Sequence, residues 1–272
     1  MIERLNFYDI YGYLIPGSLL IGVVWLPFGI AFRTPPQADI GSAVLALIAA
    51  YVAGHILQVV ATNVISSKVD GQYPSDKMLD DKDRTFSDNF KSRLFAQIRA
   101  DFGEVSRKVA FEQCRTALIL SKGASYAEQL QGMYVLMRGI SGSAAIGCAF
   151  TLGWWVRLWN LFGDGCTGRL IVMVLILSAG VLTSWMHRIP RDSPERDLFI
   201  AVILLGFAAG GVLSAAYSPR PASLTTILGA VWVLELLSMF WAYGAYQTYA
   251  TTFAKTVYRD FMVLQKYPPK GD

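Results

Sequence analysis

The chain has 272 residues, 54% of them hydrophobic and only 16% charged, where an ordinary soluble domain carries about a quarter charged residues. The apolar residues come in long unbroken runs, which excludes a single soluble core and points to the bilayer. The net charge of +4 does not imply nucleic-acid binding, and the three scattered cysteines, Cys114, Cys148 and Cys166, form neither a disulfide framework nor a metal-ligand spacing.

The first residues lack the basic start and small-residue cleavage site of a secretory signal, so the first apolar helix is expected to stay in the mature protein. Crossing about 30 Å of hydrocarbon takes about 20 apolar residues. The first such run covers residues 10–32. Pro16 and Gly17 suit a helix start or an interfacial kink, where a missing N–H costs least, and Tyr8, Tyr11 and Tyr13 read as interfacial anchors. The Arg33-Thr34-Pro35-Pro36 turn ends it. The second run, residues 40–62, carries Tyr51, His55 and Gln58.

Residues 63–138 read as a small helical domain rather than a linker. The stretch to Thr85 is polar, with Gly71 and Pro74, and Asp80-Asp81-Lys82-Asp83-Arg84 within it reads as a solvated loop, because it lacks the ligand order and glycine of an EF-hand. Phe86, Phe90, Leu94, Phe95, Ile98 and Phe102 then recur at helical spacing, with Ser87 placed to cap the helix and Gly103 to break it. Val105, Val109, Cys114, Leu118 and Ile119 predict a second helix, ending by Gly123. A third begins near Ser125 and is expected to continue through Leu130, Met133, Tyr134 and Met137 into the third span, residues 139–162. That span ends in Trp154, Trp155, Arg157 and Trp159, an aromatic belt with a cation that snorkels to the same interface.

Further spans are expected over residues 170–186, 198–217 and 224–247. Past the last, Tyr246, Tyr249, Phe253, Val257 and Phe261 extend a helical stripe, which is expected to rest on the 63–138 domain. The expected architecture is therefore an all-α membrane protein of about six transmembrane helices, with a small cytoplasmic helical domain inserted between the second and third. Of the 24 lysines and arginines, 20 fall on the side of the termini and the insert. By the positive-inside rule both termini and the insert face the cytoplasm.

Glu235 is the most informative single residue. It lies near the middle of the last span, where an unpaired charge costs several kcal/mol, so the carboxyl must be paired or protonated and should face the bundle interior. This makes it a candidate for an ion pathway or gate, or for a single interhelical hydrogen bond. By depth, Tyr51 and His55 are its candidate partners, and Arg157 lies further out, as an interface anchor or a more distant partner. The small residues Gly139, Ser143 and Gly147 recur every fourth position on the third span, and Gly206 and Gly210 form a GxxxG on the fifth, spacings that serve close helix packing or a subunit interface. With no Walker loop, HExxH or GxSxG and only two histidines, the sequence points to no catalytic residue, metal or cofactor.

The strings Phe7-Tyr8-Asp9-Ile10-Tyr11-Gly12-Tyr13-Leu14-Ile15-Pro16-Gly17, Tyr51 to Gln58 with Gly54-His55, Tyr134 to Arg138, and Val257-Tyr258-Arg259-Asp260-Phe261 resemble a loosely defined group of uncharacterised bacterial inner-membrane proteins. Some proteins of that plan are similar to membrane effectors of bacterial antiphage defence. The helix continuity over residues 125–162, the small-residue faces and Glu235, in line with that plan, point to an oligomeric inner-membrane effector or pore whose cytoplasmic domain, residues 63–138, receives a protein partner or signal. An ion-coupled carrier and a scaffold that docks a soluble partner are the alternatives, and the absence of internal symmetry counts against the carrier.

Overall fold

The structure, a computed structural model, describes residues 9–32, 39–65, 72–121, 125–162 and 222–266. Every element among them is helical. A π-helical run, Asp9–Leu14, leads into α1 (Ile15–Phe32), followed by α2 (Ile40–Val64), the short α3 (Pro74–Lys77), α4 (Asp88–Phe102), α5 (Arg107–Leu120), α6 (Ser125–Phe162) and α7 (Ala222–Lys266). Four of these stretches are long and apolar enough to cross a membrane: Asp9–Gly29, Ile40–Thr62, Tyr126–Trp154 and Ile227–Leu264. The spans expected over 170–186 and 198–217, with Gly206 and Gly210, lie outside the described residues.

The chain divides into two compact units, Met1–Ile65 with Leu136–Tyr243 and Ser66–Val135 with Gly244–Asp272, so α6 and α7 each contribute residues to both. In the first unit α1 and α2 meet through two glycines. A Cβ at Gly17 would overlap the carbonyl oxygen of Ala50, and one at Gly54 would overlap that of Tyr13, so only hydrogen at both positions permits this approach. α6 and α7 run antiparallel: Ser141 Oγ donates to the Met239 carbonyl at 3.2 Å, and two helical turns on, Cys148 Sγ lies 3.9 Å from the Trp232 carbonyl. Ile40, Leu45, Ile48, Ile56 and Val59 of α2 and Leu234, Leu237 and Trp241 of α7 are exposed. An aliphatic surface of this extent suits hydrocarbon and not water.

The second unit is built like a small soluble helical domain. Its core joins Met78 and Leu79 with Leu94 and Ile98 of α4, Cys114 and Leu118 of α5, Leu130 of α6 and Phe253, Val257 and Phe261 of α7. Ser87 caps α4 by accepting from the Phe90 N–H at 3.3 Å, and Ser106 caps α5 from Val109 at 3.5 Å. Gly103 ends α4 at φ 78°, a left-handed conformation that favours glycine. The stripes differ in detail from those read along the sequence. Phe95, Val109 and Ile119 are exposed, and Ala110 takes the inward position on α5, because the buried arc follows the 3.6-residue turn through Ala110, Cys114 and Leu118. Burial, with the charge of Asp101 adding to it, pushes the Cys114 thiol up to about 12.

The acidic run is not simply a solvated loop. Its backbone folds around Lys91, a lysine only 4% exposed, whose Nζ donates to the Asp80 carbonyl and, at 2.6 Å, to the Asp83 carbonyl. Lys91 lies in phase with Leu94 and Ile98 on the inward face of α4, so its ammonium reaches the loop from within. Asp80 pairs with Arg107, and this hydrogen bond holds its carboxyl below the ordinary range. Asp83 Oδ1 accepts from the Thr85 N–H at 2.7 Å and closes the turn.

Candidate functional site

The polar groups of the first unit begin with a proline. Pro16 has no N–H, so the carbonyl four residues back, that of Gly12, loses its usual helical donor, and the chain just before Pro16 is wound as a π-helix. Gln58 of α2 supplies the missing donor: its Nε2 lies 2.7 Å from the Gly12 oxygen. The other end of the same amide accepts twice from Arg138 of α6, from Nε at 3.1 Å and Nη2 at 2.9 Å. One buried glutamine thus ties the starts of the α1 and α6 membrane segments to the end of α2. The sequence flagged Pro16 as a kink and Gln58 as a polar residue in a span; that four-residue offset to Gly12 was the signal linking them.

The stripe Gly139, Ser143 and Gly147 faces inward. A Cβ at Gly139 would stand 2.6 Å from the Pro16 ring and 2.8 Å from Gln58 Nε2. Ser143, fully buried, donates to the Pro16 carbonyl at 2.9 Å. A Cβ at Gly147 would stand 2.9 Å from both Glu235 Oε1 and Val23 Cβ. Groups of the same chain therefore fill this face.

Glu235 is 6% exposed. Thr151 Oγ1 donates to its Oε1 at 3.2 Å, while Oε2 is buried with no hydrogen-bond partner among the described residues. Trp154, three residues beyond Thr151 on α6, has its ring edge-on to Phe28 of α1 with centroids 4.6 Å apart, and its indole N–H is likewise buried without a partner there. Buried polar atoms in native proteins are nearly always satisfied, so an orphan acceptor marks a place suited to a further polar partner. Thr151 was missed in the sequence, where a lone threonine in an apolar run carries no signal.

Tyr51 and His55, the partners expected for Glu235 by depth, are engaged elsewhere. The His55 ring stacks on Tyr13 with centroids 3.8 Å apart and planes 16° apart, and meets Tyr51 edge-on at 4.6 Å. Matching depth did not bring them together, because depth fixes only one coordinate and the turn of each helix fixes which face a residue occupies. The side chain of Arg157 lies outside the described residues. Among the described residues no three His, Cys, Asp or Glu side chains converge as metal ligands. No protein-family model, curated protein or solved structure matches the chain.

Proposed function

We propose that the protein is an oligomeric, multi-pass inner-membrane pore or effector whose polar bundle interior, centred on Glu235, passes ions when a cytoplasmic signal arrives. The observation that carries this reading is the Glu235 carboxyl, buried in a membrane-spanning helix with one oxygen satisfied by Thr151 and the other unpartnered among the described residues. Such a group is costly to hold in a bilayer, and intramembrane acids usually face the bundle interior and mark ion pathways or proton relays. The fully buried Ser141, Ser143 and Thr151 add hydroxyls along α6, the helix that carries the Thr151 partner of Glu235. In this reading the chain crosses the membrane six times, with both termini and the 63–138 domain on the cytoplasmic side, as the distribution of basic residues favours. That domain, with its own core, receives a protein partner or signal, and α6 and α7, which contribute to both units, relay it. A role in antiphage defence follows only from the resemblance in plan to such effectors.

The test is dye and ion leakage from liposomes reconstituted with the purified full chain, alone and with cytoplasmic extract from cells under phage challenge. Permeation above that of empty liposomes is expected. No permeation in any oligomeric or partner-bound state would reject the reading.

A further inference from the structure

A charge withdrawn from water needs a counter-charge, and Arg138 has none among the described residues. Its guanidinium is half-buried, and its hydrogen bonds go to a neutral acceptor, the Gln58 amide oxygen, at 3.1 and 2.9 Å. No carboxylate pairs with it among the described residues. The amide oxygen orients the fork through Nε and Nη2 without neutralising it, and Nη1 makes no hydrogen bond among these residues. Gln58 in turn is fixed by the Gly12 carbonyl that Pro16 leaves free, so the fork is held in advance of any ligand.

The location narrows the choice of anion. Gly12 lies at the start of the first apolar stretch and Gln58 near the end of the second, while Arg138, within the Tyr126–Trp154 stretch, directly precedes Gly139, where the sequence opens the third span. The hydrogen bonds through Gln58 bring these three positions together, and Tyr11, Tyr13 and Tyr134 flank them in sequence, as aromatic residues do at a headgroup layer. A guanidinium at that level, with free donors in a planar fork, matches phosphate oxygens two at a time. We propose that Arg138, positioned by Gln58, is the anchor of a phosphate-binding site that takes the headgroup of an anionic lipid. The proposal rests on the membrane reading and is independent of permeation, so a failure of either leaves the other standing.

The purified chain in neutral detergent, titrated with phosphatidylglycerol, phosphatidylcholine or inorganic phosphate and read by native mass spectrometry, tests it. The wild type is expected to hold phosphatidylglycerol about tenfold more tightly than phosphatidylcholine, the equivalent of about 1.4 kcal/mol. Arg138→Gln should remove that preference, and Arg138→Lys, which keeps the charge but loses the fork held by Gln58, should reduce it severalfold. Arg93→Gln, which removes an exposed charge of α4, should leave it unchanged. An undiminished preference in both Arg138 variants would overturn the proposal, as would an equal loss in the Arg93 variant. Displacement of the lipid by millimolar inorganic phosphate would overturn the assignment to a lipid. Should Arg138→Gln fail to fold, the Arg138→Lys and Arg93→Gln titrations still decide.

Discussion

At the residue scale, the informative positions are those where a polar group is buried with its bonding incomplete or completed in an unexpected way. Glu235 was legible in the sequence because an acid stands out in Val231-Trp232-Val233-Leu234-Glu235-Leu236-Leu237. Its hydroxyl partner was not, since Thr151 sits 84 positions away and nothing local marks it. Gly147 was legible as a small residue, and the structure gives it a reason: a larger side chain there would press on the Glu235 carboxyl and on Val23. Gly147→Val should cost about 1–3 kcal/mol, read as a lowered unfolding temperature in detergent. Lys91 was hidden among the charges of the insert, although its phase with Leu94 and Ile98 placed it inward. Lys91→Met would leave the Asp80 and Asp83 carbonyls without their ammonium and should cost about 1–3 kcal/mol in chemical unfolding. Asp80 gives a dependence on pH. Its carboxyl is held below the ordinary range by Arg107, so its contribution is complete above the unfolded value of about 3.9 and fades as pH falls through the lower folded value. Arg107→Gln should flatten that acid limb of a stability profile measured from pH 2 to 6.

At the element scale, helix starts and stops were the most readable features, because caps are local chemistry. Ser87 and Gly103 bound α4 as their types predict. The identity of the inward residues was less readable where two apolar neighbours compete for one arc, as Val109 and Ala110 do on α5. α3 escaped notice altogether: Pro74-Ser75-Asp76-Lys77 is a single turn, and its place is secured from afar by Tyr258, whose hydroxyl donates to the Ser75 carbonyl at 3.3 Å. α7 contributes Phe253, Val257, Tyr258 and Phe261 to the core of the second unit, so that unit depends on a segment far from it in sequence. Phe261→Ala should therefore cost about 3–5 kcal/mol, and slow labelling of the buried Cys114 by a thiol reagent should become fast, since the thiol reacts only when the core opens. If labelling stays slow, the C-terminal segment does not complete that core.

At the scale of the whole molecule, the long apolar runs pointed to an all-helical membrane class, because runs of some 20 apolar residues have few other destinations. Four such helices stand among the described residues, and the expectation of six adds residues 170–186 and 198–217. Reporter fusions at the two termini and within 163–169, 187–197 and 218–223 map the count directly: six spans put the termini and 187–197 on the cytoplasmic side and the other two loops outside, whereas four spans would leave 187–197 outside as well. What the sequence could not yield at this scale was how polar residues on different spans pair, because a span sets depth but not facing. The consequence for function is concentrated at Glu235, where Glu235→Gln keeps shape and volume and removes the ionisable oxygen. Ion flux through liposomes carrying equal amounts of wild-type and Glu235→Gln protein, each verified as folded and inserted, measures that consequence. At least a tenfold lower flux in the variant is predicted from the loss of about 1.4 kcal/mol at the carboxyl; equal flux in the two, or none in the wild type, would contradict a pathway that runs through this residue.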